Sequence, residues 1–374
     1  MKIIDHFTIY RDGEYVSFPS LARLPDGTVV CGFRHAAERQ KEYGRITHVD
    51  PTAKAVYVVS SDGGKTFGKE LHVIADDENM SVQDPCINVL SDGRIIATYF
   101  RWALVPIGEG PKVWGKDLFE RFGRSLHGKY DCYTDGICYS ISDDCGKTWR
   151  KMHVIQPEGY IQGTAVRGNI IEMPDGTLLL PFYGAKQINE LSRCGLMRSN
   201  DRGESWQTFS DMAFDQEGRK NFLEPSLYYT ESGRLIGLFR TQSDFLKPNV
   251  DFEETYLNLH LAISEDKGLT FGPVIEIKGL LSSNPFHVLR LKSGNVLVSY
   301  GYRKKPFGIR AKLCNSELTD IQEADEIILR DDAPDGDLGY TSSIQRDDGS
   351  ILVSYYLSGE DGIRKIDATV LSEE

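Results

Sequence analysis

The stretch Ser60-Ser61-Asp62-Gly63-Gly64-Lys65-Thr66-Phe67 decides the fold, because its pattern of Ser, Asp, Gly and a final aromatic residue occurs four times. The other copies are SDDCGKTW at 142–149, SNDRGESW at 199–206 and SEDKGLTF at 264–271. In each copy the Asp side chain can accept backbone N–H groups, a glycine can take a positive φ, and the aromatic ring can pack beneath the turn. Each copy offers too few oxygen ligands for a calcium loop, so we interpret the repeats as structural turns.

A hairpin pattern precedes each of these turns and also occurs twice more towards the end of the chain. It consists of two apolar runs joined by a polar-Gly turn, which is typical of a β-hairpin. The six copies span 18–34, 84–101, 167–184, 223–240, 284–303 and 339–357. Their turn glycines are Gly27, Gly93, Gly176, Gly233, Gly294 and Gly349, at intervals of 55 to 83 residues. Repeats of this kind indicate repeated supersecondary units.

The repeats predict an all-β fold, a six-bladed β-propeller with four-stranded antiparallel blades, because ring closure leaves few exposed sheet edges. We expect residues 1–374 to form one propeller domain. The strand-like segment 2–9 should pair with the last blade and close the ring. Residues 102–130, rich in Gly, Trp and charges, form an insertion that we expect at the rim of the active site.

The composition narrows the class of partner. Hydrophobic residues make up 40% and charged residues 26%, and the net charge is −12. Such a surface repels nucleic acid and anionic membranes, so we expect neither as a partner. Seven cysteines without a CxxC spacing argue against a disulfide framework or a zinc site. No phosphate-binding glycine loop and no HExxH motif occurs in the sequence, so no cofactor or metal is predicted.

The sequence shows no targeting feature. Its N-terminal residues lack the apolar core of a signal peptide, and no apolar run approaches the ~18 residues that a membrane span needs. We therefore expect a cytoplasmic protein.

The hairpin geometry selects candidate site residues. In each blade the start of the first strand and the end of the second lie at the face opposite the Gly turn, so six blades bring twelve such positions around one axis. The strand starts supply Ser17, Asp84, Arg167, Glu224, His287 and Tyr340, within a residue or two. The strand ends supply Arg34, Arg101, Tyr183, Arg240, Arg303 and Tyr356. Several Arg with two carboxylates and a Tyr make an anion-binding pocket, although Arg residues can also form ion pairs among strand ends.

From about residue 14 to 357 the chain resembles the sialidase superfamily, whose propellers carry the S-x-D-x-G-x-T-W Asp box between the third and fourth strands of a blade. Blades five and six lack a recognisable box. The segment GYTSSIQRDDG looks like the family motif that bears the nucleophilic tyrosine, which implies that role for Tyr340. The segment LEPSLYYTESGRLIGLFR implies the paired glutamate and a triad arginine at Glu224 and Arg240.

The resemblance implies further substrate contacts and a general acid. The third triad arginine would be Arg303, with Arg310 as the alternative, and Arg34 matches another substrate-contacting arginine. The family places its acid in the loop that corresponds to 35–55, where Asp50 is the only Asp. The alternatives for this role are Glu38, Glu42, His48 and, at the start of the next blade, Asp84.

One position departs from the family pattern. The family opens blade one with an F/Y-R-I-P motif, whose Arg completes the triad around the sialic carboxylate, whereas this chain has Ser17 there. The arginine triad that would bind the carboxylate is therefore incomplete, unless Arg101 or Arg167 takes the place of the missing arginine. A hexuronate or another ulosonate therefore fits nearly as well as sialic acid.

The sequence leaves three possible functions open. The first is an exo-acting, retaining glycoside hydrolase for an acidic sugar, in which Tyr340 and Glu224 form the attacking pair, an exception among glycosidases. The second is a polysaccharide lyase in which Tyr340 or His287 removes a proton α to a uronate carboxylate. The third is a non-catalytic glycan-binding propeller, because this fold hosts many functions.

Overall fold

The computed structural model describes residues 1–44, 48–77, 80–244 and 251–373. In these residues 26 strands form six antiparallel sheets, each built on four strands in simple up-and-down order. The prediction of a six-bladed propeller is confirmed.

The first three blades follow the predicted hairpins. Blade one contains β2 (Tyr15–Arg23), β3 (Val29–Ala36), β4 (Lys54–Ser60) and β5 (His72–Ala75). Blade two contains β6 (Met80–Val89), β7 (Ile95–Pro106), β9 (Tyr130–Ser142) and β10 (His153–Ile155), with the short β8 (Arg124–Leu126) beside β9. Blade three contains β11 (Gln162–Ala165), β12 (Ile171–Glu172), β13 (Leu178–Ala185), β14 (Arg193–Ser199) and β15 (Gln207–Ala213). In this blade the first strand is interrupted, since β11 and β12 both pair with β13.

The other three blades complete the ring. Blade four contains β16 (Lys220–Tyr229), β17 (Leu235–Ser243), β18 (Asn258–Ser264) and β19 (Ile275–Leu281). Blade five contains β20 (Phe286–Arg290), β21 (Val296–Tyr302), β22 (Gly308–Cys314) and β23 (Glu326–Arg330). Blade six contains β24 (Gly339–Gln345), β25 (Ile351–Ser358), β26 (Arg364–Ser372) and the N-terminal β1 (Lys2–Tyr10). Because β1 pairs with β26, the first segment closes the last blade, as predicted.

Within the described ranges, helical structure is confined to short connections. It comprises α1 (Gln40–Tyr43), α2 (Gly110–Trp114), α3 (Lys116–Phe122) and a 3-10 turn at Phe252–Thr255. Both α2 and α3 belong to the insertion between β7 and β9, at the end of blade two opposite the Gly93 turn. The Asp131 carboxylate orders this insertion by accepting the Gly108 and Gly110 amides and the Ser125 hydroxyl. No helix within the described residues has the length and hydrophobicity of a membrane span.

The Asp boxes are structural turns, as the pattern predicts. Each lies between the third and fourth strands of its blade. In the box of blade two, Asp144 Oδ1 accepts the Thr148 amide at 2.9 Å and Oδ2 accepts the Thr148 hydroxyl at 2.6 Å. The Ser142 hydroxyl accepts the Gly146 amide at 2.8 Å. These bonds, the Thr148 hydroxyl first, lower the pKa of the Asp144 carboxyl to about 2.

The blades are joined by apolar packing and by hydrogen bonds around the axis. Six buried apolar clusters occupy the six junctions between neighbouring blades. On the first strands, the Ser20 hydroxyl accepts the Ile87 amide of the next blade at 3.0 Å. The side-chain Oδ1 of Asn88 likewise accepts the Ile170 amide at 2.8 Å. Such bonds satisfy inner-edge N–H groups that burial would otherwise leave unpaired.

Candidate active site

Four first strands bulge at the face opposite the Gly turns, and this bulge builds the site. In blades one, two, four and six the register with the second strand shifts by one residue. One residue of each bulge has a positive φ: Phe18 (60°), Asp84 (49°), Glu224 (43°) and Tyr340 (52°). Non-glycine residues rarely adopt this conformation, which concentrates at functional sites, and a bulge can re-aim a side chain. The repeated bulge therefore directs four equivalent side chains towards the axis.

At the centre, Tyr340 and Glu224 form a direct pair. The Tyr340 hydroxyl donates to Glu224 Oε1 at 2.5 Å, and Arg240 Nη1 binds Glu224 Oε2 at 2.8 Å. Arg240 Nη1 also lies 3.4 Å from the Tyr340 oxygen. These three residues, for which the family resemblance implies the attacking pair and a triad arginine, are at most 7% exposed. The carboxylate is thus positioned to take the phenol proton.

The Tyr340 ring is enclosed by aromatic and cationic groups. The Phe18 ring lies 4.6 Å away, and the guanidinium groups of Arg167 and Arg303 lie 5.2 and 5.7 Å from the Tyr340 ring centre. Arg303 donates to the Leu338 carbonyl at 2.9 Å and to the Tyr356 hydroxyl at 3.2 Å. Burial, followed by the charge of Glu224, raises the pKa of the Tyr340 phenol well above its ordinary value. A buried Tyr340 therefore stays neutral until a base removes its proton.

Asp84 is the second carboxyl of the bulge positions. It is 3% exposed, and no hydrogen bond to its carboxyl oxygens forms among the described residues. Burial raises its pKa to about 8, against the opposing charge of Arg167, and the charge of Glu224 raises it further. A carboxyl group with this pKa is protonated at neutral pH and can act as an acid.

Arg34 lies opposite Ser17 in the strand register of blade one. Its side chain is fully buried, and within the described residues none of its three guanidinium nitrogens has a hydrogen-bond partner. The Ser17 hydroxyl is likewise unpartnered there. The guanidinium lies 5.1 Å from the Tyr15 ring centre, and burial lowers its pKa although Asp50 and Asp84 oppose this. An unpaired buried cation is costly, so Arg34 is a candidate binding group for an anionic or oxygen-rich ligand.

Asp50, the first choice for the general acid from the family resemblance, is held in a different environment from Asp84. Its Oδ2 accepts Arg39 Nε at 2.9 Å, and its Oδ1 accepts the Thr52 amide and hydroxyl at 2.9 and 2.6 Å. Both oxygens of Asp50 therefore already accept hydrogen bonds, whereas the Asp84 carboxyl accepts none from the described residues. This difference makes Asp84, rather than Asp50, the candidate for the acid.

Glu38 and Glu42, which the loop sequence also suggests for the acid, lie in the connection between β3 and β4. Glu42 pairs with Arg39 and with Lys129 of the insertion, and Glu38 accepts the Gln40 amide at 2.7 Å. These contacts tie the two carboxylates to the loop and the insertion.

Two predicted contacts, Arg101 and His287, are not brought to the central group. Arg101 forms ion pairs with Asp77 and Asp135, the structural outcome that the sequence left open. His287 lies on β20, which has no bulge, and it lines a cavity of 370 Å³ at the Gly-turn end of the axis. There it contacts the Ser343 carbonyl at 3.3 Å, and burial lowers its pKa to about 4.

Arg167 reaches the axis, where it binds the backbone carbonyl of Tyr340 and not its phenol hydroxyl. Its Nη2 donates to the Tyr340 carbonyl at 3.0 Å and to the Pro19 carbonyl at 2.8 Å. The guanidinium also lines the cavity of His287, so it separates that cavity from Tyr340. The alternative Arg310 lies on the third strand of blade five, where it binds the Pro306 and Arg330 carbonyls. Neither Arg101 nor Arg167 therefore replaces the arginine missing at position 17, whereas Arg34 lies directly across from it.

Sequence reasoning missed a second polar cluster, centred on Asp337. Its carboxylate accepts Tyr15 Oη at 2.7 Å, Tyr356 Oη at 2.8 Å, Arg364 Nε at 2.9 Å and His48 Nε2 at 2.9 Å. Asp337 precedes β24 in a connection that has no repeat pattern, so no sequence signal pointed to it. The bulges did have a signal: proline follows the bulge residue in Phe18-Pro19, Asp84-Pro85 and Glu224-Pro225, and proline within a strand marks a bulge.

Metal ligands and disulfides are not part of this arrangement. Among the described residues, no group of three or more His, Cys, Asp or Glu side chains is arranged to hold a metal ion. All seven cysteines lie in the described ranges and are free thiols.

Comparison with known proteins places the chain in a family. Residues 117–353 match the BNR repeat-like domain. The structure is similar to that of a protein of unknown function from Dyadobacter fermentans, with 30% identity, a TM-score of 0.85 and coverage of 99% of this chain and 98% of that one. No curated protein sequence matches the chain.

More distant structures share the fold. The leech intramolecular trans-sialidase has 14% identity and a TM-score of 0.66, over 100% of this chain and 70% of that one. The α-L-arabinanase of Penicillium chrysogenum has 13% identity and a TM-score of 0.66, over 100% and 99% of the two chains. At these identities the likeness is one of fold, and it is shared with glycoside hydrolases of different specificity. The chain therefore belongs to the BNR repeat-like family, as a six-bladed propeller of the sialidase-like type.

Proposed function

We propose that the protein is an exo-acting, retaining glycoside hydrolase that removes a terminal acidic sugar, with Tyr340 as its nucleophile. The observation that carries this proposal is the 2.5 Å hydrogen bond from the Tyr340 hydroxyl to Glu224, with Arg240 bound to the other oxygen of the same carboxylate. A free tyrosine, with a pKa near ~10, attacks poorly, whereas one with a carboxylate as base can attack without carrying a full charge of its own.

The first chemical step would form a bond between the Tyr340 oxygen and the anomeric carbon. The Tyr340 proton passes to Glu224, and the glycosidic carbon–oxygen bond breaks. Asp84, protonated at neutral pH because its pKa is raised to about 8, gives its proton to the departing oxygen. This step leaves a neutral alcohol and a glycosyl-tyrosine.

The second step would reverse these roles. Water attacks the anomeric carbon and gives its proton to the Asp84 carboxylate, while the bond to Tyr340 breaks and Glu224 returns its proton to the phenol. Two displacements at one carbon give retention of configuration.

The acidic character of the substrate is supported by the cations around the site. Arg240 is paired with Glu224, and Arg303 binds a carbonyl and a phenol, whereas Arg34 has no partner among the described residues. A carboxylate next to Arg34 would supply the counter-charge that burial demands. A neutral nucleophile also suits such a substrate, because a carboxylate nucleophile would repel it.

The test is hydrolysis of a panel of aryl glycosides by the wild-type protein and Tyr340→Phe. The panel contains the α-sialoside, related ulosonate α-ketosides and hexuronides. We expect release of the aryl alcohol from one acidic sugar, retention of configuration by NMR, and loss of both in the variant. A product with near-ultraviolet absorbance would indicate a lyase instead, and sugar binding without turnover would indicate a binding propeller.

A further inference from the structure

His48 lies at the outer edge of the site, where its side chain contacts the carboxylate of Asp337. Its Nε2 is 2.9 Å from Asp337 Oδ1, and its ring stacks on Tyr15 with centres 6.0 Å apart. The Gln83 side chain donates to the His48 carbonyl at 2.7 Å, which holds the backbone at this point. The imidazole is thus held by Tyr15 and Asp337, and the backbone that carries it is held by Gln83.

Asp337 determines which nitrogen of His48 is free. Burial alone would raise the pKa of Asp337, but His48, Arg364 and Arg303 hold it below its ordinary value. An ionised Asp337 accepts the Nε2–H of His48, and in the neutral imidazole Nδ1 then becomes an acceptor. Nδ1 has no hydrogen bond to any of the described residues.

His48 is also close to the reacting centre. The Phe18 ring contacts both residues, with centres 5.2 Å from the His48 ring and 4.6 Å from the Tyr340 ring. The two residues differ in exposure, since the His48 side chain is 38% exposed and Tyr340 is 5% exposed. One aromatic ring therefore separates the buried nucleophile from a partly exposed imidazole.

The direction of displacement decides what His48 can touch. The nucleophile and the leaving group lie on opposite faces of the anomeric carbon. Because Tyr340 attacks from the buried side, the leaving group must face the open end of the axis, where His48 lies. We infer that His48, fixed by Asp337, binds a hydroxyl of the leaving group, which is the sugar next to the cleaved bond. This inference rests on the proposed hydrolase function and adds a specificity-determining residue to it.

The experiment compares two substrates that contain the same acidic sugar. One is the nitrophenyl glycoside, whose leaving group has no sugar hydroxyl, and the other is a disaccharide. The main variant is His48→Gln, which keeps a donor for Asp337 but removes the Nδ1 position. Its partner is His48→Asn, which keeps a polar group near Nδ1 but cannot reach Asp337. His35→Gln is the matched control, because His35 makes a similar 2.7 Å contact with Asp12 in the same blade.

We expect His48→Gln to lower kcat/KM for the disaccharide by about tenfold or more, the effect of one lost hydrogen bond to a ligand, with less than about threefold change for the nitrophenyl glycoside. His48→Asn should retain more disaccharide activity than His48→Gln, and His35→Gln should match wild type on both substrates. Equal losses on both substrates, or no loss on either, would overturn the inference. Tyr340→Phe separates the two proposals: if wild type and this variant have equal rates, the hydrolase function fails, and the inference fails with it.

Discussion

The two ends of the propeller axis are built from the same six repeats, yet they differ in how well their polar groups are satisfied. At the Gly-turn end, each Asp-box carboxylate accepts an amide and a hydroxyl of its own turn. At the opposite end, the buried guanidinium of Arg34 has no hydrogen-bond partner among the described residues, and burial raises the pKa of the Asp84 carboxyl to about 8. Non-glycine residues with a positive φ occur at both ends, so the unpaired polar groups make the difference. Buried groups with a shifted pKa or no partner concentrate at functional sites. One end therefore stabilises the fold, and the other holds groups that a ligand can satisfy.

The largest effect on activity, with little effect on stability, is expected from Tyr340→Phe at the end opposite the Gly turns. Removing the hydroxyl eliminates the nucleophile, so kcat should fall by at least about 10³-fold, while the free energy of unfolding changes by less than about 1 kcal/mol. Steady-state kinetics and urea unfolding measure the two effects.

The control for this variant is Tyr355→Phe. Tyr355 is also buried, at the junction of blades five and six, and its hydroxyl lies 2.8 Å from Thr369 Oγ1 and 3.4 Å from Arg330 Nη1. Activity should stay within about twofold of wild type, because neither lost hydrogen bond involves a site residue. Equal inactivation by the two variants would contradict the role of Tyr340.

Asp84→Asn tests the acid and should lower kcat by about 10²-fold or more for substrates with poor leaving groups. In the wild type the rate should decline as pH rises through about 8, the pKa of Asp84, because the acid form is lost. This alkaline limb should disappear in the variant. If the limb persists in Asp84→Asn and disappears in Asp50→Asn, the acid is Asp50 instead.

The raised pKa of Asp84 also has a consequence for stability. In the unfolded chain Asp84 loses its proton near the ordinary pKa of 3.8, whereas in the folded protein it keeps the proton up to about pH 8. The free energy of unfolding should therefore fall between about pH 4 and pH 8, by up to about 1.4 kcal/mol per pH unit from this group. Asp84→Asn should remove that decline, which urea titrations at several pH values would show. A parallel pH dependence in both proteins would contradict the raised pKa.

Arg34→Met should change activity and stability in opposite directions. The loss of the unpaired guanidinium should lower kcat/KM for the acidic sugar by about 10- to 100-fold, as expected for a charge-assisted contact. The same change should raise the free energy of unfolding by about 1 kcal/mol or more, because a buried unpaired charge is replaced by an apolar side chain. Kinetics and thermal unfolding together measure this, and a destabilised variant would indicate that Arg34 has a structural role.

The smallest effect on activity is expected from Asp62→Ala at the Gly-turn end. The side chain accepts the Thr66 amide at 2.9 Å and the Thr66 hydroxyl at 2.6 Å, so its loss should reduce stability by about 1 kcal/mol. The kcat of the folded fraction should stay within about twofold of wild type. A large fall in kcat without unfolding would show that the two ends are coupled.

The repeats alone determined the architecture. Six hairpins and four Asp boxes are local patterns, and each depends on turn chemistry that neighbouring residues supply. The same periodicity placed Glu224, Arg240, Arg303 and Tyr340 around one axis, because equivalent positions of a closed repeat meet at its centre.

Only the tertiary structure decided which of the candidate side chains meet. Arg101 is bound by Asp77 and Asp135, and Asp50 is bound by Arg39, contacts between residues that no repeat relates. In blade one the bulge gives the positive φ to Phe18, while Ser17 pairs with Arg34. Asp337 reaches the site from an irregular connection. The physical reason is that a repeat fixes the backbone path, whereas burial and charge pairing across blades fix which polar group is left without a partner.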